Sequence, residues 1–267
     1  MLVLAQIHYP MSFESTYGPW AIVTGASAGL GEHYTRQLAE RGLSVLIVAR
    51  RLNRLSELAS ELMSKHQVEI ECLSLDLTAT DAIESLLDAC QNKDIGLLVN
   101  NAGFGIKKAF AENEYSALRD MVRLNCEIPV LLTHALLDKL KNRDTAGIIN
   151  LASVAGFQPT PFMSVYGATK AFDLLFSEAL SSELEGSGID VLAVCPGSTD
   201  TEFHAVAGSE STFPKLDDPR SVVLKSLNCL GKRAVYIHGF KHRLLIFLNR
   251  LTPRFLVTRT AHLMLKK

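Results

Sequence analysis

The chain has 267 residues, 48% of them hydrophobic and 21% charged, a length and an apolar content that suit one full core in a single α/β unit. Its five cysteines, Cys72, Cys90, Cys126, Cys195 and Cys229, are scattered and form no CxxC pair, which excludes a disulfide framework or a zinc site and points to a reducing, cytosol-like compartment. The net charge of −1 hides a split: residues 1–218 hold all 28 acids against 16 basic residues, a balance of −12, while eleven Lys and Arg and no acid follow Asp218.

The N-terminal stretch MLVLAQIHYP is mildly apolar, but it has no basic start and no small-residue cleavage site, so it is not expected to be a secretory signal. No run approaches the roughly 18 apolar residues of a spanning helix. The apolar run 20–24 (WAIVT) stops at Gly25, as a buried parallel strand does. Gly29 and Gly31 then lead into a helix with Tyr34, Leu38 and Ala39 at helical spacing, closed by Gly42. Residues 44–49 (SVLIVA) read as a second strand, 52–65 as a polar-faced helix, 68–75 as a third strand and 82–89 as a helix. A fourth strand is expected over 95–99, one long helix over about 114–140 and a fifth strand over 147–152. A helix over 163–185 and a sixth strand over 189–195 follow. Asp218 and Pro219 open a further helix that ends at Gly231, and 234–237 can form a seventh strand.

Strands alternating with helices of this length predict a Rossmann-type doubly wound parallel sheet of about seven strands, covered on both faces. The expected division is an N-terminal extension over 1–17, a catalytic domain over 18–239 and a basic amphipathic helical extension over 240–267. Ligands of such sheets bind beyond the carboxyl ends of the strands. Gly25, Asp76, Asn100, Ser153 and Pro196 each fall just past a predicted strand end, so one crevice can collect them.

Within that crevice, Tyr166 and Lys170 lie four residues apart and share a helix face. An ammonium beside a phenol favours the phenolate, so the phenol is expected below its usual pKa of about 10, where it can move protons near neutral pH. Ser153, thirteen residues earlier, can hold a carbonyl oxygen beside that phenol. A Tyr-Lys pair alone is common on helix surfaces, and it is the upstream motifs that select the catalytic reading. Residues 24–31, TGASAGLG, place glycines between an apolar strand and a helix start. Glycines admit a pyrophosphate to the backbone, and the helix N-terminus supplies free N–H groups. Arg50 and Arg51 end the second strand, where an arginine suits a 2′-phosphate, so the cofactor reads as NADPH rather than NADH. Arg-Arg pairs are also common on surfaces, and solvated helix-start residues are the other reading of this pair.

With TGASAGLG, NNAG (100–103), Ser153, YGATK (166–170) and PGSTDT (196–201) in this order and spacing, the chain resembles the short-chain dehydrogenase/reductase family over about residues 18–240. NADP-dependent ketone and acyl-chain reductases are the members it looks most like. The resemblance implies that Tyr166 is the acid in reduction, that Lys170 lowers its pKa and holds the nicotinamide ribose, and that Ser153 orients the carbonyl. It implies that Asn125 (in RLNCE) holds a water relaying protons to Lys170. Gly25, Gly29 and Gly31 would form the pyrophosphate turn, with Ser27 and Leu30 near it. Asp76, with Leu77 beside it in LDLT, would meet the adenine amino group. Asn100, Ala102 and Gly103 would run along the adenosine side, and Pro196, Gly197, Thr199 and Thr201 would flank the nicotinamide carboxamide. Two positions depart from the pattern: Ala28 replaces a basic residue of some NADP enzymes, and Thr199 replaces a common aliphatic one.

Phe104, Phe157, Phe162, Met163 and Phe203 lie near motif ends and suggest an apolar carbonyl substrate, although each taken singly suits core packing. Residues 202–214 are the expected lid, with His204 in it facing solvent. In the tail, Phe240, Leu244, Phe247, Leu248 and Leu251 recur at helical spacing with Lys241, His242, Arg243 and Arg250 off the stripe. Such a helix suits an anionic membrane surface, or equally the chain's own acidic body or a second subunit. Dimers or tetramers are the assemblies the resemblance implies. Nucleic acid is not expected, because the basic residues alternate with aliphatics and no aromatic platform is present. The expected function is reduction of an apolar ketone or aldehyde in the cytoplasm, soluble or at a membrane surface. The alternatives are an alcohol dehydrogenase running in the oxidative direction and a non-catalytic NADP-binding scaffold docked through the tail.

Overall fold

The computed structural model describes residues 12–208 and 216–266. The N-terminal ten residues and positions 209–214 of the expected lid lie outside the described residues. Seven parallel strands form one sheet in the order β3-β2-β1-β4-β5-β6-β7. They are β1 (Trp20–Thr24), β2 (Ser44–Ala49), β3 (Ile70–Ser74), β4 (Ile95–Asn100), β5 (Ala146–Leu151), β6 (Ile189–Cys195) and β7 (Val235–Ile237). The helices, in chain order, are α1 (Phe13–Tyr17), α2 (Gly29–Glu40), α3 (Leu52–Lys65), α4 (Ala82–Ala89), α5 (Tyr115–Val122), α6 (Ile128–Lys141), α7 (Ser164–Glu183), α8 (Phe203–Val206), α9 (Pro219–Leu227), α10 (Phe240–Leu251) and α11 (Arg254–Leu265).

The central strands are aliphatic throughout because both faces are covered. Successive side chains alternate between two cores, as the strand period requires. Val23, Val45 and Ile47 pack with Leu38 of α2, Leu55 and Leu62 of α3, and Val223 of α9. Ile22, Leu46 and Val48 pack on the other face with Leu86 of α4 and Leu132, Leu136 and Leu140 of α6. Strand order reverses at β1, which pairs with β2 on one side and β4 on the other. That reversal opens the crevice at the carboxyl ends, where the loops after β1, β4, β5 and β6 meet.

Three elements differ from expectation. The single helix over 114–140 is two helices joined by a π-helical turn, Arg123–Glu127. Pro129 explains the break: it has no N–H for the carbonyl of Asn125, and its ring would crowd that carbonyl in a regular helix. The wider turn relieves the clash and carries the bond from Ile128 N–H to the Arg123 carbonyl instead. The second difference is α1, inside the expected extension. Tyr17 is buried in the core and donates to Asp190 Oδ2 at 2.6 Å, so this part of the extension belongs to the body.

The third difference is the tail. Pro253 divides it into α10 and α11. The stripe Phe240, Leu244, Phe247, Leu248 and Leu251 is exposed, Phe240 and Leu251 by 71% and 70%, which overturns the reading in which that stripe packs on the chain's own body. The packing face is the opposite one: Ile246 is buried, Asn249 donates to Gln158, and the His242 ring lies beneath Gly197. These three are spaced i, i+4 and i+7, one face of the helix. Among the described residues, no helix is long and apolar enough to cross a membrane.

Candidate active site

The polar centre is built on α7 and the end of β5. Tyr166 and Lys170 occupy one buried face of α7, as their spacing predicts. Lys170 Nζ donates to the Leu151 carbonyl at 2.6 Å and to Asp173 Oδ2 at 2.9 Å. Ser153 caps the short 3-10 turn Val154–Phe157, accepting from Ala155 N at 3.1 Å, and its hydroxyl lies within hydrogen-bonding reach of the Tyr166 phenol.

Burial decides the charge states here. It raises the Tyr166 phenol above its ordinary value of 10.0, outweighing Lys170 and Ser153, which favour the phenolate. The expected depression of this phenol is therefore corrected: the protein holds it neutral. Burial also works against the Lys170 cation, but Asp173 and Tyr166 prevail and raise its pKa. Asp173 itself went unnoticed in the sequence. Three residues from Lys170, it takes part of the ammonium's field that would otherwise act on Tyr166.

Asn125 sits in the π turn and is fully buried. Its Oδ1 accepts from Phe104 N at 3.1 Å, and its Nδ2 donates to the Phe104 carbonyl and to Thr169 Oγ1, both at 3.0 Å. The amide thus clamps the loop after β4 to α7. A Cβ on Gly103 would stand 2.9 Å from Asn125 Oδ1 and 3.6 Å from Lys170 Nζ, so the three groups border one space. Gly105, also missed, keeps Tyr166 accessible to its loop: a Cβ there would lie 2.9 Å from both Tyr166 Cδ2 and Phe203 Cζ.

The glycine turn has the left-handed backbone its residues predict, with φ of +68° at Gly25 and +58° at Gly29. A Cβ on Gly31 would fall 2.3 Å from the Gly25 carbonyl oxygen, so the helix start packs directly on the turn. Asn101 braces the turn from β4, donating from Nδ2 to the Thr24 carbonyl at 2.8 Å and the Gly25 carbonyl at 3.2 Å. Thr24 Oγ1 accepts from the N–H groups of Asn101 and Ala102, each at 3.0 Å. Asn101 is a turn residue that sequence reading overlooked, since its role depends on a contact 76 positions away. Leu30, the second residue of α2, is half-buried and packs against the core.

The arginines gather at the end of β2 and the start of α3, beside the glycine turn. Arg51 donates from Nε and Nη2 to Ser27 Oγ at 3.1 and 3.0 Å, and from Nη1 to Glu202 at 2.9 Å. Arg54, one turn into α3, reaches the same Glu202 at 2.5 Å. Arg50 is exposed near Asp76. Asp76 Oδ1 accepts from the Thr78 N–H at 2.9 Å and the Thr78 hydroxyl at 2.7 Å, which lowers its pKa. Leu77 is buried in the core. The Asn100 side chain is turned into the interior, donating to Thr133 Oγ1 and Asn150 Oδ1.

On the far side, the Pro196 carbonyl accepts from Val154 N at 3.0 Å, tying the loop after β6 to the Ser153 turn. Thr199 is buried, its hydroxyl donating to the Gly197 carbonyl at 3.1 Å. Thr201 rests against Gly29, whose Cβ would be 3.2 Å from it. Of the expected apolar mouth, Phe203 packs 5.2 Å from the Tyr166 ring and Phe162 5.2 Å from His262 of α11. Phe162 has φ +66°, a strained conformation for a bulky residue in the loop beside the site. Phe157 packs instead with Leu174, Ala193 and Cys195, so core packing accounts for it. His204 is half-buried, not solvent-facing, and burial lowers its pKa.

The family model of short chain dehydrogenases matches residues 19–211. The chain is 34% identical over 227 residues to a very-long-chain 3-oxoacyl-CoA reductase of Debaryomyces hansenii, covering 81% of this chain and 65% of that protein's length. It is 30% identical over 237 residues to a 7beta-hydroxysteroid dehydrogenase of Clostridium sardiniense, covering 87% of this chain and 90% of that one. The structure of a short-chain dehydrogenase from Sphingobium yanoikuyae in complex with NADPH superposes with a TM-score of 0.79 at 33% identity, over 88% of this chain and 94% of that one.

Proposed function

We propose a function on one premise: the chain belongs to the short-chain dehydrogenase family. It is an NADPH-dependent reductase of apolar ketones or aldehydes. The observation that carries this reading is the buried set of Tyr166, Ser153 and Lys170 on the crevice that the glycine turn also borders. The residues fit the cofactor: the positive φ of Gly25 and Gly29 and the close seating of Gly31 on the Gly25 carbonyl shape a tight turn at the N-terminus of α2, where free N–H groups suit a pyrophosphate, and Arg51 and Arg54 present guanidinium forks suited to a 2′-phosphate. When bound, the nicotinamide supplies hydride.

The protein's own residues do the rest. Ser153 donates a hydrogen bond to the substrate carbonyl oxygen and fixes it beside Tyr166. Tyr166, neutral at physiological pH, gives that oxygen its proton as charge develops. Lys170 then stabilises the phenolate left behind, while Asp173 holds the ammonium in place. Asn125 keeps the loop after β4 and α7 in register. A neutral phenol is the form that donates a proton in reduction, and its phenolate is the form that accepts one in oxidation. Burying a cation, a carboxylate and a phenol together costs desolvation that a mere cofactor-binding scaffold does not require.

Phe203, packed on the Tyr166 ring, supports an apolar substrate. The relatives named for 3-oxoacyl and hydroxysteroid chemistry support the same class. The exposed Phe240, Phe247 and Leu251, set among basic residues with no acid after Asp218, support docking of the tail on an anionic lipid surface. The test is NADPH consumption with medium-chain 3-oxoacyl thioesters and with steroid ketones. Wild type turns over at least one class, and Tyr166→Phe loses about 10²–10⁴-fold while still binding NADPH. Comparable turnover in that variant removes the phenol from the mechanism.

A further inference from the structure

Glu202 opens α8 on the segment that leaves β6, yet its carboxylate lies against the end of β2 and the start of α3. Oε2 accepts from Arg51 Nη1 at 2.9 Å and Oε1 from Arg54 Nη1 at 2.5 Å. The two guanidinium groups hold Glu202 below the usual carboxylate range, Arg54 most strongly. Arg51 also grips Ser27 in the glycine turn. Two forks converging on one anion beside that turn is the arrangement a phosphate monoester uses. The three side chains are 42–46% exposed, so the cluster is screened and exchangeable rather than locked.

We propose that Glu202 is a built-in competitor for the 2′-phosphate of NADPH: its carboxylate and that phosphate claim the same two guanidinium groups, Arg51 and Arg54. Glu202 thereby sets both the affinity for NADPH and the margin over NADH, which carries no 2′-phosphate to displace it. The neighbours of Glu202 extend the consequence. Thr201 rests on Gly29 and Phe203 on the Tyr166 ring, so the exchange acts on a segment that touches both the phosphate turn and the phenol. The inference rests on the NADPH reading above.

The test uses the intact protein and two fragments that differ only by the 2′-phosphate, 2′,5′-ADP and 5′-AMP, with binding measured by calorimetry. Wild type binds 2′,5′-ADP the more tightly. Glu202→Gln tightens 2′,5′-ADP by about three- to tenfold and leaves 5′-AMP unchanged, and the gain shrinks as salt rises. Arg54→Ala weakens 2′,5′-ADP alone. An unchanged or weakened 2′,5′-ADP affinity in Glu202→Gln, or an equal gain for both fragments, overturns the competitor role and leaves the NADPH reading standing. A wild type that does not prefer 2′,5′-ADP overturns both.

Discussion

Two carboxylate–cation clusters border the crevice, and they share chemistry but not surroundings. Lys170 and Asp173 are 8% and 3% exposed, with a second bond from Lys170 to the Leu151 carbonyl. Arg51, Arg54 and Glu202 are nearly half exposed. Charge attraction in a dry interior is strong, but so is the cost of leaving either partner alone. At the surface, both terms shrink. The buried pair is therefore a fixed part of the polar centre on α7, whereas the exposed cluster can release its carboxylate to another anion.

Removing the carboxylate from the buried pair separates the two clusters most sharply. Asp173→Asn leaves Lys170 charged and half-satisfied in the interior, and should cost about 3–5 kcal/mol of stability in urea unfolding. Arg54→Ala, at the exposed cluster, should stay within about 0.5 kcal/mol of wild type. Equal losses in the two variants would mean that burial does not separate the clusters. A second, smaller effect is read from pH. Because the Tyr166 pKa is raised, the phenol stays protonated through neutral pH. The kcat/KM for reduction should be flat from about pH 6 to 9, and the reverse reaction, which needs the phenolate, should rise with pH up to about tenfold per unit. A reductive rate that falls through pH 7 would show that Lys170 overrides burial after all.

The weakest expected effect lies at the tail, where cations have no acid within the same 49 residues. The full chain should sediment with phosphatidylglycerol vesicles and not with neutral ones, and Phe247→Glu with Leu248→Glu should reduce that fraction several-fold. Failure to bind anionic vesicles, with a dimer in light scattering that the same substitutions dissolve, would assign the stripe to a second copy.

Much of this architecture is legible in the residues, for a physical reason. Aliphatic strands buried on both faces end abruptly at Gly25, Asn100, Ser153 and Pro196, so the crevice can be assembled from where apolar runs stop. Tyr166 and Lys170 are legible because a helix face has a fixed period. The contributions of Asn101 and Glu202 are not, because each acts on a segment far along the chain. Asp173 looks like any helix carboxylate until its burial is known. The charged neighbour alone predicts a lowered Tyr166 pKa, and desolvation reverses the sign. Periodicity identified an apolar stripe on α10, but it carries no information on whether that stripe or its opposite meets the protein.

The π-helical turn at Arg123–Glu127 has a further consequence at the level of the gene. A widened turn differs from a regular one by a single inserted residue, and each residue advances an α-helix by about 100°. Losing one codon in this turn would leave the amino acids on either side intact, yet swing Asn125 away from Thr169 by about that angle. The hinge between an aligned and a misaligned loop after β4 is thus three nucleotides wide, and Pro129, two residues past the turn, keeps a regular helix from closing over it.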